Sequence, residues 1–370
     1  MATTGKQLFT TLSPEGTLTV EIAETEFREP TGNQVLVKME AAPINPSDLA
    51  ILTSAADFEN AEYSAGKVVA KMPEPFNNAQ KARHGMRLPA GNEGAGTVVA
   101  TGDSDMAKAL MGQRVACVPG SAYAQYAIAD ASMCLPLGDH SSEAGASSFV
   151  NPMTALGFVE NAKLDGAKAV LHTVGASNLG LMLQRICKED GMPLVNIVRK
   201  DEQAELLKAE GAEYVVNSSD GDFMANLRAA IDATEAFYGF DPIGGGTMVD
   251  TCFRAMEQVA VSKMTDFSRY GSNQAKRMFI YGRLDTGPTT LMPAYGFGWT
   301  LSGWLLTPFL QMAGPEIAGR MRKRVLDGLT TTFASNYKAK VDLEGMLTKD
   351  AILDYKRMQT GEKYLVTPWG

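Results

Sequence analysis

Through residues 1–150 apolar positions fall in short runs, Leu18–Ile22, Val35–Met39, Thr97–Ala100, Arg114–Val118 and Tyr126–Ile128, with Gly and Pro between them. Runs punctuated in this way predict an antiparallel, barrel-like β domain. The pattern changes at residue 169. Ala169–Val174 is an apolar run suited to a strand buried on both faces, Leu179, Met182, Leu183 and Ile186 then recur at helical spacing, and Leu194–Val198 supplies the next strand. Glu202–Glu210 reads as a helix, Tyr214–Asn217 as a strand, and Phe223–Phe237 as a helix with Leu227, Ala230, Ile231 and Thr234 on one side. Thr247–Val259 reads as a further helix and Met278–Tyr281 as a further strand. This alternation predicts an α/β fold with a doubly wound parallel sheet. The last strand, Tyr364–Thr367, is expected to return to the first domain. The expected limits are 1–152 for the barrel, 153–315 for the parallel sheet and 316–370 for the return.

Two segments break the pattern. Residues 54–86 carry Asn, Pro and several charges with no clear period, and are expected to form an inserted loop or helical excursion on the surface. Thr286–Pro315 holds no charged side chain and includes Trp299, Trp304, Leu305, Leu306 and Phe309. Its length suits a membrane span, but Pro288, Pro293 and Pro308 interrupt it, as do Gly296, Gly298, Gly303 and Gly314. A buried strand, a pocket wall or a subunit interface is expected there, and no membrane span.

The turn after the first parallel strand is Gly175-Ala176-Ser177-Asn178-Leu179-Gly180. A glycine-framed turn between strand and helix aims backbone N–H groups and a helix N-terminus at a pyrophosphate. The match to G-x-G-x-x-G is partial, because Ser177 stands where a missing side chain normally lets the backbone approach. An ordinary strand-to-helix turn is the competing interpretation. The end of the next strand favours a nucleotide. In such folds an Asp or Glu about 20 residues on takes the ribose 2′-hydroxyl. Here Arg199 stands 24 positions after Gly175 and Lys200 follows it. Two cations suit a 2′-phosphate, so NADPH is expected rather than NADH.

At 370 residues the chain exceeds one comfortable core, which agrees with two domains. Its 34 basic against 42 acidic side chains leave a net charge of −8, so no basic surplus exists to neutralise a nucleic-acid backbone. Four dispersed cysteines, Cys117, Cys134, Cys187 and Cys252, lack the spacing of a zinc site or a disulfide framework. Free thiols in a reducing cytoplasm are expected. No secretory pattern is visible at the start, where residues 1–11 lack an apolar core.

Several segments, taken in order, resemble the medium-chain dehydrogenase/reductases in their zinc-free quinone oxidoreductase and enoyl reductase branches. They are Ala41–Asp48 (AAPINPSD), Gly91–Val98 (GNEGAGTV), Gly112–Val115, Asn151–Ala155, the Gly175–Gly180 turn, Asn196–Arg199, Gly211–Glu213 and Asp241–Gly245. The resemblance implies a GroES-like barrel built from both chain ends, a Rossmann domain between, an active site in the cleft and a homodimer. It implies that Asn45 and Thr154 lie at the nicotinamide end. Gly175, Ala176, Ser177, Asn178 and Leu179 would meet the pyrophosphate, Arg199 and Lys200 the 2′-phosphate, and Gly244, Tyr281 and Gly282 would flank the nicotinamide. Zinc-dependent relatives place Cys near Asn45 and His near Asn92. Asn is a poor zinc ligand, so no metal is expected.

Plainer roles stand beside these. Asn45 suits turn chemistry, Tyr281 a packed strand end, and Lys200 a solvated helix start. The proton donor is not evident. Enoyl-thioester reductases of the family use a Tyr soon after the Asn-Pro-Ser-Asp segment, and near Ala56 this chain has none. Tyr63 serves only if its segment folds back, and His172 reads as a core histidine. The leading expectation is zinc-independent, NADPH-dependent reduction of a quinone or small α,β-unsaturated carbonyl. A 2-enoyl-thioester reductase is the close alternative, and an NADPH-binding structural or sensor protein without turnover is the alternative of another class.

Overall fold

In a computed structural model, which describes residues 3–358 and 363–370, the chain divides into two compact units. One comprises residues 1–150 with 326–370, the other residues 151–325. The chain passes between them inside two helices, Val150–Leu164 and Leu306–Asp327.

The second unit carries six strands in the order Tyr214–Asn217, Leu194–Val198, Val170–His172, Tyr238–Asp241, Lys276–Ile280, Trp299–Gly303. Every neighbouring pair is parallel. The order reverses at the Val170–His172 strand, the mark of a doubly wound Rossmann sheet. Leu194–Val198 is buried at all five positions, as a strand covered on both faces must be. On one face Leu171, Val195, Ile197 and Val216 pack with Leu227 and Ile231 of the helix Phe223–Thr234 and Phe253 and Met256 of the helix Met248–Ser262. Around the helix Val150–Leu164 the packing is aromatic. Phe158 stacks on Phe240 at 3.9 Å and meets Trp304 edge-on at 4.7 Å, while Trp304 Nε1 donates to Asn161 Oδ1.

The uncharged segment 286–315 resolves into three parts. Asp285–Thr289 pairs with Gly244–Gly246, Trp299–Gly303 forms the edge of the parallel sheet, and the helix Leu306–Asp327 begins. That helix breaks at Gly314 (φ 85°, ψ 170°) ahead of Pro315, which has no N–H to continue the ladder. Among the described residues no helix is long and apolar enough to cross a membrane.

The first unit is a barrel-like pair of sheets around one core. One has the order Asp57–Ser64, Lys67–Lys71, Thr17–Phe27, Thr3–Leu12, Arg87–Pro89. The other runs Cys134–Pro136, Arg114–Cys117, Gly94–Thr101, Gln34–Pro43, Lys363–Val366, Tyr337–Val341, with Tyr126–Asp130 also pairing Gln34–Pro43. Leu8, Leu18 and Val20 of the first meet Val37, Val98 and Val115 of the second in a shared core.

The 54–86 segment differs from expectation. It is a hairpin, Asp57–Ser64 with Lys67–Lys71, that extends the first sheet, followed by the short helix Glu74–Ala79. Gly66 turns the hairpin at φ 66°. Its period of two is real but carried by few apolar residues: Val68 and Ala70 face the core while Lys67 and Lys71 face solvent.

A buried ion pair fastens the second unit internally. Lys276, fully buried, donates to Glu257 Oε2 at 2.6 Å, to Gln274 O at 2.8 Å and to Ser272 Oγ at 3.1 Å, which uses all three ammonium protons. Lys276→Met should cost about 3–5 kcal/mol, because it strands a buried carboxylate, and Lys276→Met with Glu257→Met should recover most of that. Denaturant unfolding checks this; a single variant as stable as the double would show the pair is not the fastening.

Candidate functional site

The strand-to-helix turn of the second unit is set by close backbone contact. A Cβ at Gly180 would lie 2.1 Å from Gly175 O, and one at Gly175 would lie 2.8 Å from Asn196 Cβ, so neither position admits a side chain. Ser177 opens the helix Asn178–Asp190 as its N-cap, its Oγ accepting from Gly180 N at 3.0 Å. The serine that interrupts the glycine pattern therefore satisfies one of the free N–H groups at that helix start. Ala176 and Leu179 are buried beneath the turn.

At the end of the adjacent strand Arg199 and Lys200 are both exposed. The backbone holds them in place: Arg199 N donates to Gln203 Oε1, Ser219 Oγ donates to Arg199 O, and Lys200 is the N-cap residue of the helix Asp201–Ala209. Among the described residues no carboxylate pairs with either cation. Two such cations beside a glycine turn and a capped helix start fit a dinucleotide with a 2′-phosphate.

Further along the same sheet edge, Asp241 orders the loop that carries Gly244. Thr173 Oγ1 donates to Asp241 Oδ1 at 2.5 Å and Gly244 N to Asp241 Oδ2 at 2.7 Å, and Gly244 takes φ 80°. Gly282 lies where a Cβ would sit 2.7 Å from Pro242 O. Tyr281 OH and His172 Nε2 share a hydrogen bond of 2.7 Å, with the rings stacked at 5.9 Å. Burial pushes His172 down to about 3, so the ring is neutral at physiological pH. Thr154 is buried on the helix Val150–Leu164.

Asn45 belongs to the first unit, in a buried polar cluster. Its Nδ2 donates to Glu93 Oε1 at 2.9 Å, and Glu93 Oε2 accepts Phe149 N at 2.9 Å and Val150 N at 2.8 Å. Asp48 Oδ2 accepts Asn45 N, and Asp48 Oδ1 accepts Asn92 N. Burial raises the Asp48 carboxyl to about 6 against the pull of those N–H groups. The carboxylate of Glu93 fixes which way the Asn45 amide faces, since only Nδ2 has protons to give. Asn45 Oδ1 is buried without a hydrogen-bond partner among the described residues. Tyr63 lies on the Asp57–Ser64 strand and donates to Phe58 O at 2.7 Å. Asn92 Nδ2 donates to Ser47 Oγ, and no group of three metal-ligating side chains occurs among the described residues.

Residues 31–139 match the alcohol dehydrogenase GroES-like domain. The chain is 28% identical over 189 residues to prostaglandin reductase-3 of Mus musculus, covering 51% of this chain and 44% of that protein. It is 27% identical over 289 residues to the mitochondrial enoyl-[acyl-carrier-protein] reductase of Arabidopsis thaliana, covering 75% of this chain and 65% of that one. The chain thus spans less than two thirds of either curated relative. A proposed NADPH:quinone reductase of Mesorhizobium loti superimposes with a TM-score of 0.75 at 28% identity, covering 100% of this chain and 99% of the other. A mycobacterial protein solved with NADPH superimposes at 0.69 with 19% identity, covering 99% and 100%.

Glu93 is the site residue that pattern alone passes over. Its one signal is an acid set immediately before the run of small and apolar residues Gly94–Ala100, where a charge needs a reason. Glu93→Gln would set an amide N–H₂ against either the Asn45 amide or the two backbone N–H groups. Stability should fall by about 1–3 kcal/mol. Urea unfolding of the variant checks this, and an unchanged midpoint would remove Glu93 from its organising role.

Proposed function

We propose that this chain is a medium-chain dehydrogenase/reductase that reduces a quinone or a small α,β-unsaturated carbonyl with NADPH, without zinc. The observation that carries the reading is the unpaired Arg199 and Lys200 beside the Gly175–Gly180 turn. Those cations would take the 2′-phosphate, and the backbone from Gly175 to Leu179 the pyrophosphate. The loops of Gly244, Tyr281 and Gly282, with Thr154, would border the nicotinamide. NADPH supplies the hydride when bound. The protein's part is orientation, exclusion of water and hydrogen bonding to charge that develops on the acceptor. Asn45, with its amide oxygen turned away from Glu93, would accept a hydroxyl from cofactor or substrate. Asn45 and Asn92 stand where thiolate or imidazole would favour a metal, which supports chemistry without one.

A 2-enoyl-thioester reductase is the second reading, favoured by the similarity to the Arabidopsis enzyme over 75% of this chain. Against it, the Tyr63 phenol is committed to a backbone carbonyl of its own hairpin. Turnover of reduced nicotinamide with a quinone panel, an enone panel and a crotonyl thioester separates the two. Reduction of the thioester alone would replace the first reading with the second.

We also propose a homodimer in a reducing cytoplasm. The strand Trp299–Gly303 is paired on one side only, exposed Phe297 and Leu305 flank it, and all four cysteines are free. Light scattering should return twice the 39.6 kDa chain mass, and a single-chain mass would remove the dimer. For the cofactor, Arg199→Ala should weaken NADPH binding roughly 10- to 100-fold while leaving NADH nearly unchanged, as expected for loss of one charge-assisted partner. Equal losses for the two in fluorescence titrations would overturn the assignment.

A further inference from the structure

The cation pair at the end of the strand Leu194–Val198 stands beside an acid. Asp201 follows Lys200 directly and opens the helix Asp201–Ala209, and it is exposed as Arg199 and Lys200 are. A carboxylate there favours the helix start, but it would repel a 2′-phosphate bound to the two cations. That carboxylate is held. Asn217, at the end of the neighbouring strand Tyr214–Asn217 and 9% exposed, donates from Nδ2 to Asp201 Oδ1 at 2.8 Å.

The other end of the same amide is also used. Asn217 Oδ1 accepts Ser219 N at 3.0 Å, and Ser219 Oγ donates to Arg199 O at 2.9 Å. The two partners fix the amide, because a carboxylate only accepts and a backbone N–H only donates. Asn217 thus joins the acid at the helix start to the turn that anchors the Arg199 backbone. An apolar side chain would suit a buried strand end without the cost of burying an amide, yet it would leave Asp201 free. All of these residues lie within the second unit.

We infer that Asn217 is a specificity-determining positioning residue, which holds the Asp201 carboxylate so that Arg199 and Lys200 stay available to a 2′-phosphate. The inference rests on the NADPH assignment proposed above and names the residue that secures it. Released from Asn217, Asp201 becomes a mobile anion next to Lys200. It can then pair with either cation, or approach the phosphate and repel it. The same free carboxylate would accept a hydrogen bond from a ribose 2′-hydroxyl. Its release therefore disfavours NADPH and spares NADH.

The test is fluorescence titration of the full-length protein with NADPH and with NADH. Asn217→Ala should weaken NADPH about 5- to 20-fold and leave NADH within about twofold, as expected for a like charge freed beside the phosphate. Adding Asp201→Asn to Asn217→Ala should return NADPH affinity to within about twofold of wild type. A purely structural role gives another outcome, because the double variant still lacks the bridge. NADPH binding that stays weak in the double variant, or equal losses for both cofactors in Asn217→Ala, overturns the inference. If Asn217→Ala does not fold, Asn217→Thr takes its place with the same outcomes, since Thr suits a strand end but cannot span Asp201 and Ser219 together. An unchanged preference for NADPH in the single variant overturns the inference alone. Wild-type protein that binds NADH as tightly as NADPH overturns the NADPH assignment, and this inference with it.

Discussion

One buried carboxylate organises the first unit's polar interior. Glu93 receives the Asn45 amide on one oxygen and two consecutive backbone N–H groups, Phe149 and Val150, on the other. Those donors come from segments 48 and 56 positions away along the chain. A carboxylate removed from water needs its lone pairs filled, and here the filling also sets the geometry. The link ties the end of the strand Gln34–Pro43 to the entry of the helix Val150–Leu164. It also decides which atom of Asn45 is offered to a ligand.

The second unit solves a different problem, that of bringing an anion close to backbone. Contact between Gly175 and Gly180 draws the helix start against the strand, and Ser177 caps it. The polypeptide itself thus forms most of the cradle. Side-chain charge enters only at the strand end beyond, where Arg199 and Lys200 stand exposed. Under the proposed binding, affinity for the pyrophosphate and discrimination at the ribose fall to different elements.

The parallel sheet was legible because its strands are continuous apolar runs joined by periodic helices. Leu194–Val198 and Tyr214–Asn217 fall within the expected bounds. The helix Val150–Leu164 was not, because Pro152 through Val159 are buried all round and leave no polar face to give a period. The hairpin at 57–71 hid behind charged residues on its solvent side. The glycine-framed turn between strand and helix was readable from local spacing. Glu93 was not, because its partner Asn45 lies 48 positions away, a distance no local pattern reports.

The strand Lys363–Val366 lies between Gln34–Pro43 and Tyr337–Val341 and joins that late strand to five strands from the first 136 residues. During synthesis the whole of residues 151–325 leaves the ribosome before that keystone exists. The middle of the polypeptide is thus positioned to fold first, while the strand Gln34–Pro43 waits with an open edge for Lys363–Val366 to arrive. A chain cut anywhere between residues 325 and 363 would keep that edge bare, a template for pairing with other chains and a target for chaperones and proteases.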